Sequence, residues 1–391
     1  MTETLHAVAA SRVFDGTLLH HNAAVVIDGA RIAAVVARSD LPATMSRHEL
    51  PDDAWLVPGF IDIQVNGGGD VLFNDHPTPE GVRTIVAAHR KLGTTALLPT
   101  VISDSFATMR TALAAVAAVI DTEPGVLGIH LEGPFLSPEK AGVHDMTALR
   151  RPTTDDLALI TAPRRGVTLV TLAPEQVPGD FVARLTATGV RVALGHSMAT
   201  YAQTKTAMTE GLSGFTHLFN AMRPLASREP GPIAAALESP DAWYGLIVDG
   251  IHVAPAMLRL ALRGAGRPIL MSDAMPPVGG TACSFRLYGE TITVRNGRCS
   301  RADGTLAGAF LDMAGAVRNC VRLCDVPLGD ALRFATKNPA EFLGLGGVVG
   351  GLAPGLRADM IALDPAAITV LDGWVAGENP GVEPRRVAHH P

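Results

Sequence analysis

Four ionisable side chains each follow an apolar, β-prone stretch of the sequence. They are Glu132 in "GIHLEGP", His196 in "VALGHS", His217 in "GFTHLF" and Asp273 in "ILMSDA". One carboxylate and two imidazoles form a suitable open ligand set for a catalytic zinc ion, with a water completing the tetrahedron. Taken singly, each has an ordinary structural explanation, a hydrogen-bonded histidine or a helix-start carboxylate. Four of them at four strand ends favour a metal site in which Asp273 carries protons.

The elements that must position these residues alternate between strand and helix. Eight apolar runs can be counted, namely "GFIDIQV", "TALLPTV", "VLGIHLEG", "VTLVTLAPE", "VRVALGHS", "GFTHLFN", "YGLIVDGIHV" and "PILMSDA". Most are separated by helix-like segments such as "SFATMRTALAAVAAVIDT" and "YAQTKTAMTEG". Near-continuous apolar strands alternating with helices indicate a parallel sheet buried on both faces.

Eight such units predict a (β/α)8 barrel over residues 56–344. The active sites of such barrels lie at the C-terminal ends of the strands, which is where the four ionisable residues fall. A doubly wound open sheet is the alternative α/β fold, but no GxGxxG follows the first strand. After the eighth strand, "SFRLYGETITVRNGRC" predicts a hairpin near 284–300, inserted before the last barrel helix.

Both ends of the chain carry short β-prone segments separated by turns, such as "AAVVIDGARIAAVV" and "GGLAPGLRADMIALD". Two such short stretches can hardly form two stable domains, and chain ends often lie close together in space. We therefore predict one small β-sandwich domain built from residues 1–55 and 345–391.

Net charge and residue composition indicate which partners and which cellular location to expect. The net charge of -6 over 391 residues argues against a nucleic-acid surface, because phosphate backbones need an excess of Lys and Arg. A small anion remains compatible, since one arginine can hold it. The first residues lack a signal-peptide pattern, and no run of about 18 apolar residues predicts a membrane span. Four cysteines without a CxxC pair suit a reducing cytosol, so a cytoplasmic location is expected.

Several longer motifs identify a family. Between Pro58 and Met313 the chain carries, in order, "PGFIDIQVNGGG", "HLEGPFLSPEKAGVHD", "VTLAPE", "GHSMAT", "THLFNAM", "VDGIHV", "SDAM" and "GTLAGAFLDM". In these motifs it resembles the amidohydrolase superfamily and, within it, the N-acetylglucosamine-6-phosphate deacetylases. The resemblance implies hydrolysis of the acetamide of N-acetylglucosamine 6-phosphate to glucosamine 6-phosphate and acetate. The galactosamine epimer is the alternative substrate.

The resemblance also predicts the number of metal ions. Many superfamily members carry His-x-His on the first strand and hold two metals, whereas here the two positions are Gln64 and Asn66. A second group with Gln-x-Asn keeps one metal, on the residues that match Glu132, His196 and His217. Neutral amides are poor ligands for a borderline-soft ion. We therefore expect one divalent ion per subunit, zinc with Fe²⁺ as the alternative, and a vacant second-metal position at Gln64 and Asn66.

Other roles are implied by the same resemblance. Asp273 would act as general base and acid, and His144 would help to polarise the acetyl carbonyl. The residues implied in substrate binding, including phosphate binding by Arg228, are Val143, His144, Asn220, Ala221, Arg228, Asp249, His252, Leu306, Ala307 and Gly308. Val143 departs from the smaller residues of the family, although a backbone contact would survive the change. Some family contacts cross a dimer interface, so a homodimer is expected.

Two rival interpretations stay open at the level of sequence. Dihydroorotase-like members of the superfamily usually need the first-strand His-x-His and a bridging lysine, and both are absent here. A non-catalytic relative kept as a scaffold would explain the loss of His-x-His. The retention of Glu132, His196, His217 and Asp273 argues against it.

Overall fold

The computed structural model describes residues 5–379, which contain twenty-one β-strands. In chain order these are β1 His6–Phe14, β2 Leu19–Asp28, β3 Arg31–Ala37, β4 Ser46–Glu49, β5 Trp55–Pro58, β6 Phe60–Val65, β7 Gly67–Gly68, β8 Val71–Leu72, β9 Thr94–Ile102, β10 Gly128–Glu132, β11 Val167–Leu172, β12 Arg191–Leu194, β13 Gly214–Phe215, β14 Trp243–Leu246, β15 Arg267–Leu270, β16 Ser284–Leu287, β17 Glu290–Arg295, β18 Arg298–Ser300, β19 Leu306–Ala309, β20 Met360–Asp364 and β21 Thr369–Trp374.

The same residues form ten α-helices, most of which follow a barrel strand. They are α1 Pro79–Arg90, α2 Phe106–Val119, α3 Thr154–Thr161, α4 Phe181–Thr186, α5 Tyr201–Thr209, α6 Gly231–Glu238, α7 Pro255–Ala261, α8 Met313–Cys324, α9 Leu328–Ala335 and α10 Lys337–Phe342. Several begin with a side-chain cap, as at α5, where Thr200 and Gln203 cap reciprocally. Within residues 5–379, none of the helices has the length and apolarity needed to span a lipid bilayer.

The barrel prediction is confirmed. The strands β6, β9, β10, β11, β12, β13, β14 and β15 neighbour one another in this order, each parallel to the next. Each of the eight predicted apolar runs overlaps one of them. The last and first strands meet just beyond β15, where Ala274 forms a parallel bridge with Val65. The backbone N–H groups of Asn66 and Gly67 both donate to the carbonyl oxygen of Ala274.

A buried carboxylate reinforces this seam inside the barrel. Asp62, on β6, accepts hydrogen bonds from the backbone N–H groups of Gln64 and Ser272 and from the Ser272 hydroxyl. Residues 62, 64 and 66 alternate along the strand and therefore share one face. A stripe of three polar side chains thus points into the barrel directly beneath its mouth.

Strands from both ends of the chain share one sheet of seven strands, in the order β21, β20, β5, β1, β2 and β3, with β4 pairing to β1. The chain crosses from this sheet to the barrel between β5 and β6, at Gly59. We propose residues 1–55 and 345–391 as the limits of this unit, with β5 carrying its sheet three residues further, to Pro58. Residues 1–4 and 380–391 lie outside the described part of the chain.

The segment predicted as a hairpin is larger than expected. Strands β16 to β19 form a four-stranded antiparallel meander, so residues 284–300 supply only three of its strands. The fourth, β19, contains the "LAGA" of the motif "GTLAGAFLDM" and bridges back to Ala274 at the barrel mouth. This outer sheet therefore reaches the C-terminal ends of the barrel strands.

Candidate active site

A cavity opens at the C-terminal ends of the barrel strands and contains most of the predicted site residues. Those that line it are Asn66, Glu132, Val143, His144, His196, His217, Asn220, Ala221, His252, Asp273, Leu306 and Gly308. Gln64, Arg228, Asp249 and Ala307 do not line it. The four ionisable residues at the strand ends, Glu132, His196, His217 and Asp273, therefore line the same cavity.

The backbone at three strand ends explains how these side chains reach the cavity. His196, His217 and Asp273 have φ values of 47°, 33° and 52°, in the left-handed region that side-chain-bearing residues rarely adopt. Each lies just after a barrel strand has ended. Left-handed residues of this kind cost free energy and cluster at functional sites, where the surrounding structure imposes them.

Three of the side chains form a group that can hold a metal ion. Glu132 Oε1 lies 2.9 Å from His217 Nε2 and 3.2 Å from His196 Nε2, and the two imidazole nitrogens are 3.1 Å apart. All three residues are buried. Ligand atoms about 2.0–2.1 Å from a tetrahedral zinc ion lie about 3.3 Å from one another. The three atoms are therefore spaced almost as a metal would space them.

The donor chemistry of this group also fits a metal. His196 Nδ1 lies 2.7 Å from the carbonyl oxygen of Lys140, which can only accept, so Nδ1 carries the proton and Nε2 presents its lone pair. A second partner of this kind is what orients metal-binding histidines in proteins. Two imidazole nitrogens that face each other beside a carboxylate oxygen lack enough protons to satisfy one another, and a cation satisfies all three.

Gln64 and Asn66 do not reproduce a second metal site. The side-chain amide of Gln64 donates to Glu132 Oε2 at 2.8 Å and to Asp273 Oδ1 at 3.1 Å. Asn66 donates to the same Asp273 oxygen at 2.7 Å. The amide nitrogens therefore face the two carboxylates, and the amide oxygens have no partner among the described residues. Two neutral amides therefore hold the two carboxylates close together.

The surroundings of Glu132 and Asp273 shift the pKa values of these two carboxyl groups in opposite directions. Burial alone would raise the pKa of Glu132, but the adjacent His196 and His217 rings hold that pKa well below its usual range. Burial, together with the nearby charge of Glu132, raises the pKa of Asp273 to about 6. A carboxyl with a pKa near neutrality can both accept and release a proton at physiological pH.

His144 approaches the metal-binding group from a different loop. Its Nε2 lies 4.0 Å from Glu132 Oε2, and its ring packs edge-on against His196 at 4.4 Å between centroids. Burial and the neighbouring His196 lower the pKa of His144 to about 3. The ring is therefore neutral near pH 7 and carries one proton.

The three predicted substrate residues that do not line the cavity occupy different positions. Asp249 lies behind the cavity and orients His252, whose Nδ1 is 2.6 Å from Asp249 Oδ2. Ala307 is buried between two residues of the cavity wall. Arg228 is exposed on the loop between β13 and α6 and makes no hydrogen bond or ion pair with residues 5–379.

Sequence reasoning missed several residues of the site. Ile102, Ile247 and Met275 form apolar walls, and their residue types carry no signal of function. Asp62, which fastens the barrel seam, was also missed. A signal for it existed, because it alternates with Gln64 and Asn66 on one strand face.

Comparison with known proteins decides the family. The amidohydrolase family model matches residues 55–387. A relative from Shewanella sp. (strain ANA-3), "N-acetylgalactosamine-6-phosphate deacetylase", is 42% identical over 379 residues, covering 96% of this chain and 95% of the relative. The chain belongs to the amidohydrolase family. The "N-acetylglucosamine-6-phosphate deacetylase" of Haemophilus influenzae is 33% identical over 347 residues, covering 88% of this chain and 91% of the relative.

A solved amidohydrolase structure agrees with this assignment. The crystal structure of N-acetylglucosamine-6-phosphate deacetylase from Pasteurella multocida superposes with a TM-score of 0.93 at 32% sequence identity. The alignment covers 96% of this chain and 99% of that chain. The predicted membership and the predicted barrel architecture are therefore both confirmed.

The geometry of the metal-binding group yields a first prediction. Replacing His196 with Ala removes one of three ligands, so His196→Ala should retain almost no divalent metal after gel filtration in metal-free buffer. Elemental analysis of the eluted protein measures the loss. His252→Ala, which alters the same cavity outside the ligand group, is the matched control and should keep its metal. Equal metal content in both variants would contradict the assigned ligand set.

Proposed function

We propose that this chain hydrolyses the acetamide of N-acetylglucosamine 6-phosphate to glucosamine 6-phosphate and acetate. The observation that carries the proposal is the meeting of a three-ligand metal group, a proton-carrying carboxyl and a neutral imidazole in one cavity. The names of the relatives supply the substrate class.

The metal we propose is one divalent ion per chain, zinc or alternatively Fe²⁺, held by Glu132, His196 and His217. When bound, the ion supplies a positive charge that makes water more acidic and polarises a carbonyl oxygen. Gln64 and Asn66 support the count of one, because their amide nitrogens already face the carboxylates that a second ion would need.

Asp273 carries the proton in the proposed reaction. Its Oδ1 is fixed by the amides of Gln64 and Asn66, whereas its Oδ2 makes no hydrogen bond with any described residue. Oδ2 is therefore free to take a proton from the attacking water. As the C–N bond breaks, Asp273 returns that proton to the leaving amine, which would otherwise be too basic to depart.

Substrate orientation is assigned to residues around the same cavity. We propose that His144 donates a hydrogen bond to the acetyl carbonyl oxygen, and that Asn220 and Ala221 contact the sugar phosphate. His252, Leu306 and Gly308 would bound the sugar. Arg228 is proposed as the phosphate ligand, since a guanidinium without a partner among residues 5–379 suits a phosphate dianion.

N-Acetylgalactosamine 6-phosphate is the second candidate substrate. The observation that favours it is the 42% identity with the relative from Shewanella sp. that carries this name. The two sugars differ only in configuration at C4, so the same metal group and the same Asp273 would serve either. We also propose a homodimer, on the family resemblance, and a cytoplasmic location, on the four cysteines without a CxxC pair.

The proposed function is tested by measuring acetate release from both epimeric 6-phosphates and from unphosphorylated N-acetylglucosamine. The zinc-loaded chain should release acetate from at least one 6-phosphate and far more slowly from the free sugar. Comparing kcat/KM for the two epimers identifies the preferred substrate. No acetate from either 6-phosphate would refute the proposal.

The role of Asp273 predicts the behaviour of Asp273→Asn. The amide keeps the size of the side chain but cannot take up a proton, so kcat should fall by at least about a hundredfold. Metal content should stay unchanged, as checked by elemental analysis. Asp75→Asn, at an exposed carboxylate that makes no hydrogen bond within residues 5–379, is the control. A kcat near that of the wild type in Asp273→Asn would remove this residue from the mechanism.

Arg228 decides the specificity for phosphate. A charge-assisted hydrogen bond contributes about 1.5–3 kcal/mol, so Arg228→Ala should lower kcat/KM for the 6-phosphate by about tenfold to a hundredfold. The same change should scarcely affect the poor reaction with unphosphorylated sugar. Arg110→Ala, at an exposed arginine of α2, is the matched control. Equal losses on both substrates would mean that Arg228 supports the fold instead.

A further inference from the structure

Ser103 directly follows the last residue of β9 and is buried behind the cavity wall. Its backbone N–H donates to His144 Nδ1 at 3.2 Å. Its hydroxyl oxygen lies 2.7 Å from the same ring nitrogen. Both polar groups of Ser103 that face the imidazole therefore converge on one of its two nitrogens.

These two contacts select one tautomer of the His144 ring. A backbone N–H can only donate, so a hydrogen on Nδ1 would collide with the amide hydrogen of Ser103. Nδ1 therefore presents its lone pair, and the Ser103 hydroxyl donates to it as well. A neutral imidazole carries one ring proton, which must then lie on Nε2. Nε2 is the nitrogen nearer the metal ligands, 4.0 Å from Glu132 Oε2.

The outer sheet holds both residues of this pair. Tyr288, between β16 and β17, donates its phenolic hydrogen to the carbonyl oxygen of Ser103 at 2.6 Å. Arg301, just beyond β18, donates to the carbonyl oxygen of Val143, the residue before His144, at 3.2 Å. The outer sheet thus fixes the backbone at Ser103 and at Val143, next to His144. These two hydrogen bonds help to maintain the contact between Ser103 and His144.

The space for the Ser103 hydroxyl depends on a glycine. Gly133 has a φ of 87° and directly follows the ligand Glu132. A Cβ at this position would lie 2.3 Å from the hydroxyl oxygen of Ser103. Glycine therefore leaves room for the hydroxyl beside the strand end that carries the metal ligand.

We propose that Ser103 is a positioning residue that holds His144 as the Nε2–H tautomer and aims this hydrogen at the acetyl carbonyl oxygen of the substrate. The proposal rests on the proposed deacetylase function, which supplies that acceptor. The carbonyl oxygen gains negative charge as water adds to the carbon. A donor fixed in advance therefore stabilises the transition state more than the bound substrate.

The tautomer can be observed without turnover. In the zinc-loaded wild-type chain labelled with ¹⁵N-histidine, His144 Nδ1 should give a pyridine-type resonance and Nε2 a pyrrole-type resonance. The loss of these signals in His144→Gln assigns them. The opposite pattern in the wild type, with the proton on Nδ1, would overturn the proposal even if the enzyme is active.

Kinetics then tests whether the hydroxyl matters. Ser103→Ala keeps the backbone donor but loses the hydroxyl that holds the His144 ring. The hydrogen bond from His144 to the transition state should therefore weaken, and kcat should fall about tenfold. KM should change less than about twofold, because the bound substrate carries little charge on its carbonyl oxygen. Ser103→Thr restores a hydroxyl and should recover most of the lost kcat.

A second variant tests the positioning role of Ser103 independently. Tyr288→Phe, which removes the donor to the Ser103 carbonyl, should lower kcat in the same direction and gives a second variant if Ser103→Ala does not fold. An unchanged kcat in folded Ser103→Ala would overturn the positioning role. A rise in KM as large as the fall in kcat would overturn it as well. Absence of acetate release by the wild type would refute the proposed function alone, since the tautomer is read independently.

Discussion

The arrangement of the barrel mouth depends on the burial of one carboxylate, Glu132. A buried charge is costly unless it is paired and hydrogen-bonded. Glu132 meets this requirement through the Gln64 amide on its Oε2, while its Oε1 faces His196 and His217. These three residues lie on or just after three other strands. Because a metal ion would bind on the Oε1 side, the contact with Gln64 can persist whether or not the ion is present.

The amides on the first strand give the site its asymmetry. Gln64 places one nitrogen between Glu132 and Asp273, and Asn66 adds a second donor to the same oxygen of Asp273. Two carboxylates are thereby kept close without a second cation between them. One oxygen of Asp273 is held by two amides and the other makes no hydrogen bond within residues 5–379, which suits the proposed role of Asp273 as proton carrier. With amides in the place of first-strand histidines, this part of the site is held by hydrogen bonds from Gln64 and Asn66 to the two carboxylates.

The outer four-stranded sheet, β16 to β19, contacts both the cavity and the backbone beside His144. Its strand β19 supplies Leu306 and Gly308 to the cavity, while its loops reach Ser103 and Val143 from behind. A side chain of Met275 fills the space beside Gly308, where a Cβ would lie 2.6 Å from the Met275 Cγ. The sheet therefore both forms part of the cavity wall and fixes the backbone beside His144.

The sequence by itself determined the eight barrel strands and the four ionisable residues at their ends, because apolar periodicity and strand-end position are local properties. It also contained the motifs that identify the family. Only the tertiary structure decided that Gln64 bridges two carboxylates, that Asp62 fastens the barrel seam to Ser272, and that Ser103 faces His144 Nδ1. These contacts join residues 41 to 210 positions apart, and a hydrogen bond between distant strands leaves no pattern in the sequence around either partner.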